Sequence, residues 1–344
     1  MSGTTLQVLV AGRRRRARRR GAVLACLLAA LVAFFVLALM LGQGVTPPAQ
    51  VFRVLLGQDV PGASFAVGQL RLPRAVISIL AGMCFGLGGA AFQVMLRNPL
   101  ASPDIIGISA GASAAAVFGI VFLSLDGASV SGLAIAAGLG VALLIYALSF
   151  KSGVAGSRLI LVGIGISAMI NSFIAYALAR APAWDLQEAM RWLTGSVNGA
   201  RLDQAWPLLA ALLVFGGLML ARRRDLEALR MGDDLASALG VRVGKVRLVV
   251  ILGAVGMIAV ATATTGPIAF VAFLSGPIAA RITGPHGSVL VPAALVGAVL
   301  VLVGDYTGQF LLPGRYPVGV VTGALGAPFL LWLIIRANRT GGTL

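Results

Sequence analysis

The feature that most constrains this chain is the recurrence of apolar runs about eighteen residues or longer along nearly its whole length. As a helix, each is long enough to cross a hydrocarbon core about 30 Å thick. Of the 344 residues, 59% are hydrophobic and 11% charged, whereas soluble domains carry about 25% charged residues. The alternating apolar and polar strands of an outer-membrane barrel are missing. The expected fold is an all-α integral membrane protein with one integrated bundle.

Hydropathy places ten transmembrane helices, near residues 22–42, 74–96, 105–123, 130–150, 158–180, 204–221, 247–264, 268–283, 287–304 and 317–336. An even number puts both termini on one side, and charge assigns that side to the cytoplasm. Twenty of the 27 basic residues fall in the segments this topology leaves inside, the bias that cytoplasmic loops carry. Residues 1–20 are then a basic cytoplasmic tail, 21–336 the ten-helix bundle, with 222–247 a cytoplasmic loop within it, and 337–344 a second cytoplasmic tail. Arg13–Arg16 and Arg18–Arg20 precede the first run. That run continues into GQGVTPPAQ and lacks a small-residue cleavage site, so it reads as an uncleaved helix rather than a signal peptide. The span near 268–283 is the most open to interruption, because Pro267, Gly276 and Pro277 would break it.

The formal net charge of +16 is the positive-inside signature rather than a nucleic-acid surface. Cys26 and Cys84 both lie in apolar helices, which argues against a disulfide framework. A single histidine, His286, excludes a multi-histidine metal site. No catalytic constellation and no cofactor pattern is present. No helix centre carries a carboxylate, whereas ion-driven carriers place ionisable groups there. Asp305 comes nearest, at a helix end. GVRVGKVR at 240–247 is not a P-loop: only three residues separate its glycines and Val246 follows Lys245. If ATP drives this protein, another chain binds it.

Leu70–Ser113 organises the rest. Pro73 suits a first helical turn, so a helix is expected to start here. Arg71 and Arg74 would then sit at the positive end of its dipole, three residues apart on one face. Guanidinium groups so placed suit bidentate clamping of an external partner's carboxylates; anchoring to lipid phosphate, or an internal ion pair, suits them equally. Gly82 and Gly86, like Gly107 and Gly111, form GxxxG pairs that let helices approach closely. On the inner side Ala221–Arg247 is the longest loop. Leu226, Leu229, Leu235 and Leu239 space roughly as one helical face, with Asp233 a candidate N-cap and Gly240 a candidate stop. An interfacial lipid-bound helix and a protein-docking helix both fit. On the outer side Ala181–Asp203 holds a short amphipathic segment and a Gly/Asn-rich turn.

These pieces together resemble the permease subunits of bacterial ABC importers for ferric siderophores, haem and cobalamin, the FecCD family. The matching residues are LRLPR (Leu70–Arg74), the helix ending in Gln93, RNPLASPDIIG (Arg97–Gly107, with Asn98 and Pro99), WLTGS (Trp192–Ser196), LRMGDDLASALG (Leu229–Gly240), TGPIAFVAF (Thr265–Phe273), Asp305 and PVGVVTGALGAPFLLWLI (Pro317–Ile334). The resemblance implies ten helices per subunit in the bacterial inner membrane, with a second permease subunit completing the pathway. It implies two ATP-binding subunits and an extracytoplasmic substrate-binding protein, with ferric siderophore as cargo and cobalamin or haem as the alternative. It gives Arg71 and Arg74 to docking of the binding protein, and the loop with Leu229, Met231, Gly232, Asp233, Ala236, Leu239 and Gly240 to ATPase coupling. Gly82, Gly86, Gln93, Asn98 and Pro99 then line the pathway or pack helices.

Three positions depart from the family pattern. Ile278 replaces a histidine, Gln309 replaces an arginine, and Arg315 stands where an acidic residue is usual. Arg315 becomes the candidate third docking arginine, and the departures suit one half of a heterodimer, with a homodimer as the other possibility. An ion-gradient-driven carrier is the rival from another class.

Overall fold

The computed structural model describes residues 3–103, 107–149, 156–284 and 287–339. Asp104–Ile106 of the hairpin, Lys151 and His286 fall outside them, as do the last five residues of the C-terminal tail. Fourteen helices, in chain order, make up the fold of the described residues. They are α1 (Gly3–Met40), α2 (Pro48–Leu55), α3 (Ser64–Leu96), α4 (Ile108–Leu123), α5 (Gly127–Ser149), α6 (Gly156–Arg180) and α7 (Ala183–Thr194). They continue with α8 (Leu202–Ala221), α9 (Arg223–Leu229), α10 (Asp233–Ala238), α11 (Val243–Thr265), α12 (Val271–Thr283), α13 (Leu290–Leu311) and α14 (Val318–Arg339). Ten of these coincide with the ten expected spans. Seven are long and apolar enough to cross a membrane, and α4, α12 and the 318–333 part of α14 are shorter apolar helices. The protein is a multi-pass membrane protein. Residues 3–20 are helical and continuous with α1.

The bundle is built around α3. Of its apolar stretch 78% is buried inside the protein, against 72% for α11 and 61% for α13. The corresponding share is 11% for α1 and 17% for α6, so these lie at the periphery of the bundle, covered by little of the chain itself. Small residues make the centre possible. A methyl group on Gly82 or Gly86 would strike the carbonyls of Gly297 or Ala293 on α13, and one on Gly89 would strike Ala272 on α12. Backbone-to-backbone contact of this kind is how helices associate in lipid. The Gly82/Gly86 pair therefore faces a neighbouring helix and lines no open path.

The start of α3 differs from expectation. The helix begins at Ser64 and is π-helical to Arg71, where the Leu72 N–H donates to Val67 O, five residues back. A proline ring clashes with the carbonyl four residues before it. The wider turn accommodates Pro73 without ending the helix. Arg71 and Arg74 thus lie about two or more turns inside a long helix and not at the positive end of its dipole.

Pro277 sits within α12 without breaking it. It has no N–H to give to the Phe273 carbonyl. The buried Gln93 side chain supplies the missing bond, Nε2 donating to Phe273 O at 2.9 Å. Gly276 is needed beside it, because a side chain there would occupy the place of Gln93 Oε1.

Candidate functional site

Two clusters of charge mark opposite ends of α3. At its beginning, Arg71 Nη1 donates to Leu39 O at 2.9 Å, Met40 O at 3.0 Å and Thr46 Oγ1 at 3.0 Å, and Nη2 donates to Gly44 O at 2.9 Å. Leu39 and Met40 are the last residues of α1, whose final carbonyls have no partner within the helix. A cation at that end also meets the negative pole of the helix dipole. Arg71 therefore caps α1. Gly42 is required beneath it, since a Cβ there would collide with the guanidinium.

Arg74 turns the other way. Nε meets Asp305 Oδ2 at 2.5 Å and Nη2 meets Asp305 Oδ1 at 2.6 Å, a bidentate pair. Nη1 donates to Asn198 Oδ1 at 3.2 Å. The side chains are 18% and 7% exposed. Asp305 is 231 residues away in sequence, so the pair ties α3 to α13, and Asn198 adds the loop after α7. The internal ion pair, one of the readings open in the sequence, is the state of Arg74 here.

Both arginines nevertheless border one cavity of about 650 Å³, which Gln69, Arg201, Gln309 and Arg315 also line. Arg201 meets Asp203 at 3.1 Å. Arg315 is exposed and forms no ion pair among the described residues. Gln309 and Arg315 share this wall.

The floor of this end is a backbone junction of three sequence motifs. Ser196 N donates to Thr265 O at 2.6 Å, and Gly319 N donates to Gly195 O at 3.1 Å. Gly195 and Gly266 hold φ of +68° and +71°, a region open mainly to glycine. Side chains at Gly195, Gly266 and Gly319 would strike the backbones of Pro267, Trp192 and Thr194. The WLTGS, TGP and PVG segments are thus conformational requirements of one joint.

At the far end of α3, Arg97 takes a left-handed conformation, φ 52°. Its guanidinium approaches Asp233 at 3.7 Å, and Arg247 donates to both Asp233 oxygens at 3.0 and 2.8 Å. Asp233 is the first residue of α10 and not its N-cap; Gly232, φ 110°, holds the cap position. The Asp233 carboxylate binds α3 and α11 instead. Gly240, φ 83°, ends α10 as expected: its N–H reaches Ser237 O and the Val241 N–H reaches Ala236 O, the Schellman pattern.

The leucine face read from the sequence divides between two helices. Leu226, Leu229 and Ala236 are buried, while Met231, Leu235 and Leu239 are 54%, 58% and 65% exposed. A cavity of about 400 Å³ opens beside them, lined by Gln93, Arg97, Asn98, Pro99, Arg230 and Pro277. Asn98 Oδ1 accepts the Leu100 N–H at 2.9 Å, which fixes the turn after α3. Among the described residues no group of His, Cys, Asp and Glu is placed to hold a metal ion.

The sequence reading missed Asn198, Arg201 and the Gln93–Phe273 bond. The Gly/Asn-rich turn after WLTGS signalled the first two, and Pro277 implied an orphan carbonyl at Phe273.

Comparison with known proteins agrees with this architecture. The model of the FecCD transport family matches residues 30–336. The ferric enterobactin transport system permease protein FepG of Escherichia coli (strain K12) is 38% identical over 294 residues, covering 84% of this chain and 88% of the relative. FepD, a second ferric enterobactin permease protein of the same organism, is 32% identical over 320 residues, covering 92% and 95%. A solved structure described as a metal-chelate type ABC transporter in an inward-facing conformation superposes with a TM-score of 0.82 at 25% identity, covering 92% of this chain and 99% of that one. The chain belongs to the FecCD transport family.

Proposed function

We propose that this chain is one of two permease subunits of an ATP-driven importer that takes up a ferric siderophore delivered by an extracytoplasmic binding protein. The observation that carries the reading is the opposition of the two ends. A cavity bordered by Arg71, Arg74, Arg201 and Arg315 lies at one, and a short-helix loop presenting Met231, Leu235 and Leu239 lies at the other. The deeply buried α3 joins them.

The arginine end faces the binding protein, whose lobes offer carboxylates. Arg315 is free to meet one directly, and the rim of the Arg74–Asp305 pair offers a second charged contact. The Arg97 end faces the cytoplasm, where the exposed apolar side chains of α9–α10 seat on an ATP-binding subunit, so hydrolysis belongs to that subunit. The excess of basic residues in the segments on this side, both termini included, supports the orientation. The ferric enterobactin relatives support the cargo, and the existence of both FepG and FepD supports a paralogous partner. A proton-driven carrier is disfavoured because Asp305, the carboxylate nearest the bundle interior, is already neutralised by Arg74.

The test is uptake by the chain reconstituted with its partner permease, an ATPase subunit and the binding protein. Ferric siderophore accumulation should require ATP and survive an uncoupler. Accumulation that collapses with the uncoupler while ATP is present would overturn the reading.

A further inference from the structure

The arginine run ahead of the first span is a charge feature that transport leaves unused. Arg13–Arg16 and Arg18–Arg20 lie on the helical extension of α1. No Asp or Glu precedes Asp59 in the sequence. Among the described residues no carboxylate pairs with Arg13–Arg16, Arg18 or Arg19. At 3.6 residues per turn these side chains encircle the helix within roughly 10 Å of its axis. They end where the apolar run begins, at the depth of lipid headgroups.

A crevice begins at the same level. Arg19, Ala22, Val23, Cys26 and Leu27 form one stripe of α1, and Ile282 of α12 faces them across a space of about 300 Å³. Apart from Arg19 at its mouth, every one of these residues is apolar or a thiol. Arg20, one position on, donates to the Ser288 carbonyl and ties α1 to the segment after α12. Arg281, the cation of α12's last turn, lies over the Trp332 ring at 4.7 Å and is engaged elsewhere. Only 11% of the apolar stretch of α1 is buried by protein, so protein contacts alone hold this helix weakly.

We propose that this crevice binds one anionic phospholipid, with the phosphate on Arg19 and its neighbours in the run and one acyl chain along Val23–Leu27 against Ile282. Uncompensated cations at a headgroup depth select a negative head, and the apolar walls select a chain. A soluble anion would satisfy only the first requirement. The bound lipid would complete the packing of α1 on the bundle. The proposal rests on membrane embedding alone, so it fails or survives separately from the transport reading.

The two cysteines supply a reporter, since Cys26 lines the crevice and is exposed on the membrane side of α1 while Cys84 is buried, so a small, lipid-soluble maleimide reaches the first and not the second. The full chain in nanodiscs is labelled with a maleimide, in phosphatidylglycerol or in phosphatidylcholine. Labelling should be about fivefold slower in phosphatidylglycerol, the preference that one arginine near a charged surface confers. Arg19→Gln should abolish most of that difference, while Arg53→Gln, on α2, should preserve it. Ala22→Phe, which fills the crevice with every arginine retained, should also remove the lipid dependence. Inorganic phosphate added to the phosphatidylcholine sample should give no protection. Equal labelling in the two lipids, an unchanged preference in Arg19→Gln or Ala22→Phe, or protection by phosphate alone would each overturn the site.

Discussion

The two ends of α3 are built on different principles. At the Arg71 end the strong groups, Arg315 excepted, are spent internally. Arg71 caps α1, Arg74 is closed on a buried carboxylate, and three glycine-dependent segments lock backbone to backbone. At the Arg97 end the Arg97–Asp233 pair is open, with side chains 47% and 40% exposed, though Arg247 on the same carboxylate is largely buried, and apolar side chains face outward. The contrast suggests a division of labour. On the proposed function, one end would be a rigid frame on which a partner docks, and the other a lever whose own fold is held loosely enough to be moved. A lever works only if the column between the ends does not bend, and this sets the first way to break the comparison.

The largest effect is expected in that column. Gly86→Leu would drive a side chain into the Ala293 carbonyl, where no flexible atom can retreat. Overpacking costs about 1–3 kcal/mol when side chains can shift; here a helix must move. The variant should fail to reach the membrane in folded form, which fluorescence-detected gel filtration would show. A folded, active Gly86→Leu would mean that α3 and α13 are not a rigid unit.

Next comes the frame itself. Removing one partner of a buried ion pair strands the other charge and costs about 3–5 kcal/mol. Arg74→Ala or Asp305→Ala should therefore lower the thermal unfolding midpoint of the subunit strongly. The double change to Arg74→Met with Asp305→Leu should restore most of that stability, because no charge is left stranded. Docking should stay impaired in the double variant if Arg74 also serves the partner. Full recovery of docking would reduce the pair to a structural tie and leave Arg315 as the contact.

How much of this was legible follows from which distances are local. The ten spans were readable because each is a continuous apolar run, and composition needs no partner to interpret. The beginning of α3 was misjudged because Pro73 normally starts a helix, and only the π-helical turn before it removes the clash. The role of Arg71 depended on the end of α1, and that of Arg74 on Asp305, neither of which spacing encodes. The split of Leu226 and Leu229 from Leu235 and Leu239 arises at Gly232, whose φ of 110° reorients α10. The motifs at Gly195, Gly266 and Gly319 were visible as motifs; their meeting was not.

A smaller effect separates column from lever. Gln93→Leu leaves the Phe273 carbonyl, orphaned by Pro277, without a donor. An unsatisfied buried acceptor costs about 1–3 kcal/mol. The unfolding midpoint should fall by less than in Arg74→Ala, and Gln93→Leu with Pro277→Ala should recover part of it by returning an N–H to α12. No recovery would mean that the glutamine acts through the neighbouring cavity rather than through the proline.

The smallest effect on stability, and the most diagnostic for the lever, is expected at Asp233. Its carboxylate, 40% exposed, bridges the half-exposed Arg97 and the largely buried Arg247. The open Arg97 pair contributes about 1 kcal/mol or less and is screened by salt, and an Asn would keep a side-chain oxygen to accept from Arg247. Asp233→Asn should therefore barely move the unfolding midpoint, and Met231→Ser with Leu235→Ser should not lower it, since both side chains are already exposed. Coupling should respond in the opposite order. If the proposed coupling role is right, ATP hydrolysis by the assembled transporter should continue while uptake falls, the exposed apolar pair being the grip proposed for a partner and the Asp233 bridge its proposed link to Arg97 and α11. If Asp233→Asn destabilises the subunit as much as Arg74→Ala does, the Arg97 end is as much a frame as the Arg71 end and the division of labour is lost. If all three substitutions leave uptake unchanged, motion enters the bundle elsewhere, and Arg222–Arg230 would be the next stretch to probe.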